Sequence, residues 1–135
     1  APVSDALLAE AAFFRSPMIL LVDDDVRVRR TMGRLLREMD YEVLDAASGE
    51  EALEVFSQRR NDIDLVLLDV WMPGLDGAKA FARLREEDST VRVVMMSGGA
   101  DEEQVGALVA AGARGFLPKP VGASALRAML DGVLA

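Results

Sequence analysis

Carboxylates gather at two places in this chain where an apolar run stops. Leu65-Val66-Leu67-Leu68 leads straight into Asp69, and Met18-Ile19-Leu20-Leu21-Val22 leads into Asp23-Asp24-Asp25. Short unbroken runs of branched apolar residues have the pattern of strands buried on both faces. After Asp69 come the loop signals Met72-Pro73-Gly74 and Asp76-Gly77, which put that carboxylate at the carboxyl end of its strand, the edge where open α/β sheets bind ligands. A single Asp there needs do no more than open a turn. Two such ends side by side would crowd carboxylates that repel one another, and Mg2+, a hard cation that takes oxygen ligands, is the natural counter-charge.

Two further strand ends add donors. Val91 to Met96 is a continuous apolar run broken only by Arg92 and ends on Ser97-Gly98-Gly99, while Gly115 to Pro118 is followed directly by Lys119-Pro120. The chain has only two lysines, Lys79 and Lys119, among thirteen arginines, a hint that a compact ammonium is wanted at one of them. Acids for a metal, a carboxylate nucleophile, a hydroxyl and an ammonium on one sheet edge suit chemistry on a phosphoryl group.

The elements that must position these residues alternate. The sequence predicts strands at Met18 to Val22, Tyr41 to Ala46, 64 to 69, Val91 to Met96 and Gly115 to Pro118. Between them, helices are expected from Asp25 to about Met39 on the face Val28, Met32, Leu35, Leu36 and Met39, and from the capping box Ser48-Gly49-Glu50-Glu51 through Phe56 to Arg59 and Arg60. Others run from Gly77 to about Glu86, from Asp101-Glu102-Glu103 to Gly112, and from Ala123 to Leu134. Short connections and strict alternation imply a five-stranded parallel, doubly wound α/β sheet with right-handed crossovers. Residues 1 to 17 stand apart as an extra N-terminal helix, Asp5 to about Phe14, or a linker, capped by Ser4 and stopped by Ser16-Pro17.

Composition narrows the function. With 135 residues the chain is expected to form one domain, residues 18 to 135, beside that extension. No cysteine and no histidine occur, which excludes disulfides, thiolate or imidazole metal sites, a Ser-His-Asp triad and a phosphohistidine on this chain itself. Fifteen basic against 23 acidic residues oppose phosphate-backbone binding, so no direct nucleic-acid contact is expected. No run approaches the roughly 18 to 20 apolar residues that cross a bilayer, and no signal peptide is recognisable, so no membrane contact and a cytoplasmic location are expected.

These pieces, in this order and spacing, resemble the receiver domain of two-component response regulators, the chemotaxis-regulator type, over about residues 18 to 135, which implies a flavodoxin-like sheet with strand order 2-1-3-4-5. The resemblance implies that Asp69 is the phosphoacceptor and that Asp23 and Asp24 form the acidic pair, Asp24 a direct Mg2+ ligand and Asp23 acting largely through water. The backbone carbonyl of Trp71 would complete the ligands. Ser97 would take the family's hydroxyl position, Lys119 its lysine, with a cis bond to Pro120, and Phe116 its aromatic switch. The partners implied are a histidine kinase or histidine phosphotransfer protein. An output partner or domain is expected on the face made by the fourth helix, strand five and the last helix, and a hybrid histidine kinase is one parent chain such a receiver has. By this resemblance the domain is no conventional enzyme but catalyses its own aspartyl phosphorylation and dephosphorylation.

Taken singly, Ser97 reads equally as a turn residue, Phe116 as core, and Asp25 as a helix-dipole residue. Trp71 is bulky where side chains influence water access, Phe116 lacks a phenolic hydroxyl, and Pro118 withholds a backbone donor, which requires an edge strand there. Two other classes stay open. One is a degenerate receiver that only binds proteins, although the acids, hydroxyl and lysine are all intact. The other is a haloacid-dehalogenase-like phosphatase, which wants a second Asp two residues after its nucleophile, where Trp71 stands.

Overall fold

The computed structural model describes residues 16–99 and 102–135. Along them strand and helix alternate five times: β1 (Met18–Val22), α1 (Val26–Glu38), β2 (Glu42–Ala46), α2 (Gly49–Arg59), β3 (Leu65–Asp69), α3 (Gly77–Glu87), β4 (Val93–Ser97), α4 (Glu102–Ala110), β5 (Gly115–Pro118) and α5 (Ala123–Leu134). The helix expected from Asp5 to Phe14 and the expected helix start at Asp101 lie outside the described residues.

All strands are parallel, in the order β2-β1-β3-β4-β5, so the fold is the flavodoxin-like doubly wound sheet. The apolar runs explain the order. β3 and β4 are buried at every position and occupy the interior, whereas β2, with Glu42 and Asp45 exposed, can only be an edge. β5 is the other edge, as Pro118 demands. Lys119 donates its N–H inward to the Ser97 carbonyl at 2.9 Å, so the neighbouring position, where Pro118 has no donor, faces outward.

Alternate residues of each strand feed two cores. Ile19, Leu21, Leu65, Leu67 and Met96 pack under α1 and α5, against Met32, Leu36, Leu126 and Leu130. Leu20, Val22, Val66, Leu68 and Met95 pack on the opposite face, against Phe56, Phe81, Leu84 and Leu108. Helix starts follow local chemistry: Asp25, Ser48 and Asp76 accept the N–H groups of Arg27, Glu51 and Lys79. Asp25 is thus an N-cap. The Ser48 box closes one residue early, because Glu51 reaches back to the Ala47 N–H at 3.2 Å instead of to that of Ser48.

Two boundaries depart from expectation by two residues. α4 ends at Ala110, not Gly112, because Gly112 takes a positive φ and donates its N–H to the Val109 carbonyl in the closing turn. β4 begins at Val93, not Val91, because the Val91 N–H is held by the Asp88 carbonyl in the turn that closes α3. No helix among the described residues is long and apolar enough to cross a membrane.

Candidate functional site

The carboxyl ends of β1 and β3 lie side by side, since Val22 pairs with Leu68. The next residues, Asp23 and Asp69, are therefore neighbours. Asp23 has no exposed surface; its N–H donates to the Ala46 carbonyl at 3.2 Å, its Oδ1 accepts the Asp25 N–H at 2.9 Å, and Arg29 donates to its carbonyl at 2.7 Å. Asp69 is 4% exposed, and its Oδ1 accepts the Trp71 N–H at 3.4 Å. Asp24 stays exposed beside them. Each of the three can present a carboxylate oxygen such that all three oxygens lie within 4.8 Å of one another.

Lys119 closes the site from β5. Its Nζ donates to Asp23 Oδ2 at 2.5 Å and lies 3.3 Å from Asp69 Oδ1. One ammonium against two buried carboxylates leaves the pair undercompensated. Burial first, and the Asp23 charge second, push the Asp69 carboxyl up from 3.8 to about 6 against the pull of Lys119. The Lys119 ammonium, in turn, is held above its ordinary range: burial opposes its charge, but the bonds to Asp23 and the Asp69 charge outweigh that.

Ser97 comes to the same edge, whereas Phe116 lies two residues short of the end of β5. Ser97 ends β4, 2% exposed, and its Oγ accepts the Gly99 N–H at 3.0 Å, so the hydroxyl sits in its own turn. Phe116 pairs with Met95 and packs, half-buried, on the core beneath α2, α3 and α4. Trp71 leaves its indole 55% exposed beside the acids. The Lys119-Pro120 bond is cis.

Three residues that position the site carry no conspicuous sequence signal of that role. Gly77 opens α3 hard against β3: a Cβ there would stand 2.1 Å from the Asp69 carbonyl oxygen and 2.7 Å from the Val70 Cα, so no side chain fits. Its place beside Asp76 reads in sequence only as a turn. Arg29 is hidden among the five arginines of α1, and Glu50 passes for a helix-start acid although it holds the loop after β3.

Comparison with known proteins agrees with this layout. Residues 19–131 match the family described as response regulator receiver domain. Transcriptional activator protein PfeR of Pseudomonas aeruginosa is 36% identical over 119 residues, which are 88% of this chain and 38% of that protein. Sensor kinase CckA of Brucella abortus is 38% identical over 105 residues, 78% of this chain and 11% of that protein. The chain therefore spans well under two thirds of the length of these relatives. Chemotaxis protein CheY of Treponema pallidum is 34% identical over 104 residues, with 76% of this chain and 72% of that protein covered. Among solved structures, the fold matches a chain of the CheX-CheY-BeF3-Mg2+ complex from Borrelia burgdorferi with a TM-score of 0.85 and 29% identity, covering 88% of this chain and 90% of that one. A response regulator receiver domain protein from Clostridium thermocellum superposes with a TM-score of 0.84 at 29% identity, covering 87% and 94%. A strand order that brings β1, β3 and β5 ends together, and a family match that runs from β1 into α5, lead to one conclusion: the chain belongs to the response regulator receiver domain family of two-component signalling.

Proposed function

We propose that this receiver accepts a phosphoryl group from a partner's phosphohistidine onto Asp69. The observation that carries the reading is the Lys119 ammonium bridging the buried Asp23 and Asp69 carboxylates at the end of β3. In the transfer, a carboxylate oxygen of Asp69 attacks phosphorus as the bond to the donor's imidazole nitrogen breaks, the electron pair leaving with that nitrogen. An acyl phosphate on Asp69 and a free imidazole result, and water later hydrolyses the acyl phosphate. With its carboxyl titrating near 6, Asp69 is ionised at neutral pH and more basic than an ordinary aspartate. Lys119, already placed by Asp23, offers its remaining donors to an equatorial oxygen, and the Ser97 hydroxyl, on the same edge, offers another.

The donor set fits Mg2+: three carboxylates and nearby backbone carbonyls supply only hard oxygen ligands. Asp23, Asp24, Asp69 and the Trp71 carbonyl would hold the ion. Both Asp23 oxygens already accept hydrogen bonds, from Asp25 and Lys119, which supports Asp24 as the direct ligand and Asp23 as acting through water. When bound, Mg2+ supplies positive charge that offsets the negative charge of the phosphoryl oxygens.

Several finer readings belong with this proposal. A histidine kinase or phosphotransfer protein is the donor, and Ser97 and Phe116 relay the modification to a face made by α4, β5 and α5, where an output partner binds. The domain is the unit from residue 18 onward. Its location is cytoplasmic, and the net charge of −8 argues against direct nucleic-acid contact. Membership of a hybrid kinase is supported by the likeness to a segment of sensor kinase CckA.

Intact mass after incubation with a small phosphodonor tests the central step. A single phosphoryl increment is expected that needs Mg2+ and disappears in Asp69→Asn. Full modification persisting in that variant would sink the assignment.

A further inference from the structure

The loop between β3 and α3, residues 70–76, carries Trp71, and a different element holds its far side. Glu50, in the first turn of α2, accepts the Leu75 N–H on Oε1 at 2.9 Å. Gly49 lies so close beneath that a Cβ there would stand 2.5 Å from the Leu75 carbonyl oxygen. Gly74, at φ +77°, turns the chain under the same carboxylate; a Cβ on it would be 3.0 Å from Glu50 Oε1. Beside the Asp69 side chain at the end of β3, which accepts the Trp71 N–H, Glu50 holds an amide of this loop from a helix distant in sequence. Glu51, its neighbour in the same turn, reaches Ala47 instead.

The loop is closed at its base, where the Gly77 N–H donates to the Val70 carbonyl at 2.9 Å and Gly77 is wedged against Asp69. Only six residues, Trp71 to Asp76, remain to take up any displacement; Met72 and Leu75 are pinned in the core, and Asp76 caps α3. A change in how Leu75 is held therefore reaches Trp71, whose N–H donates to Asp69.

We infer that Glu50 is a positioning residue for the Asp69 site. Its carboxylate holds the 71–75 loop so that the Trp71 amide stays on Asp69 and the Trp71 carbonyl stays available to a divalent cation. The second half rests on the Mg2+ reading above; the first half does not.

Trp71 is the only tryptophan, so its fluorescence reports Mg2+ titrations without labelling. Glu50→Ala is expected to weaken Mg2+ binding about threefold to tenfold, below the 10- to 100-fold typical of groups bonded directly to a metal ligand. It is also expected to speed amide exchange at Trp71 as well as at Leu75. Glu50→Gln keeps an oxygen acceptor and should stay within about twofold of the wild type on both readouts. Glu51→Ala removes the same charge from the same helical turn and should leave Trp71 exchange unchanged. Equal losses in Glu50→Ala and Glu50→Gln, or the same loss in Glu51→Ala, would show that only charge is felt and overturn the inference. Wild-type exchange at Trp71 in Glu50→Ala would overturn it as well. If the wild-type protein gives no Mg2+ response, the metal reading fails, and Trp71 exchange in the metal-free variants still decides the role of Glu50.

Discussion

The Lys119 ammonium and the Asp23 carboxylate, 96 residues apart in sequence, meet at 2.5 Å in a site where Asp23 has no exposed surface. Burial of a carboxylate is costly unless it is paired and hydrogen-bonded, and here the two conditions are met by one lysine and one backbone amide. Asp69 shares the same ammonium at longer range and is left the less compensated of the two.

That imbalance predicts that Asp69 lowers stability at neutral pH. Below pH 3.8 the carboxyl is protonated whether the chain is folded or not; between 3.8 and about 6 the unfolded chain releases the proton while the folded one keeps it, so stability falls as pH rises through that window. Above it the loss is complete, about 3 kcal/mol at the roughly 1.4 kcal/mol per pK unit of linkage. Without metal, Asp69→Asn should be more stable than the wild type by about that amount at pH 7.5, and the two should converge near pH 4. Urea denaturation at both pH values checks this, and a variant less stable at pH 7.5 would contradict it.

Lys119→Met keeps the aliphatic stem and removes the charge. Asp23 is left buried with only the Asp25 amide, and a loss of about 2 kcal/mol is expected at neutral pH, discounted from the full cost of breaking a buried pair because the lysine is partly exposed. Since ammonium and cation compete for the same carboxylates, Mg2+ should still raise the thermal midpoint of this variant, by at least the wild-type increment. A vanished Mg2+ response would show that Lys119 helps build the metal site.

Asp24 is the exposed member of the acidic group, and its removal should not disturb the fold. Mg2+ should raise the thermal midpoint of the wild type clearly and that of Asp24→Ala much less. Equal shifts would place the metal elsewhere.

Signal exit is predicted at α4, β5 and the start of α5. Gly106 lies inside α4, where glycine costs roughly 1 kcal/mol relative to alanine, and the adjoining Gly98 and Gly99 leave the β4 end soft. If Ser97 moves from the Gly99 amide to a phosphoryl oxygen, Phe116 has space to turn further inward. Amide exchange with and without a phosphoryl mimic should change across residues 98 to 118. Change confined to α1 would put the output face somewhere else.

How far the chain could be read before folding follows from the range of each interaction. Strand and helix identity, the parallel character of the sheet and the edge position of β5 are local or topological: apolar runs, caps, crossover handedness and the missing donor of Pro118 lie in short stretches. The acids at two strand ends and the lysine at a third were legible for the same reason, because a parallel sheet collects all its carboxyl ends on one edge. Residues 1–15 carry a local helix pattern too, but they lie outside the described residues.

Tertiary structure alone decided how the charges are shared. Lys119 sits on Asp23 more closely than on Asp69, and the Asp69 carboxyl rises, because burial and distance across three strands set those energies. Gly77 wedged against the Asp69 carbonyl and Glu50 gripping Leu75 across 25 residues are likewise invisible in sequence. A glycine and a helix-start glutamate have common local uses, and only the packing of α2 and α3 against the end of β3 gives them these.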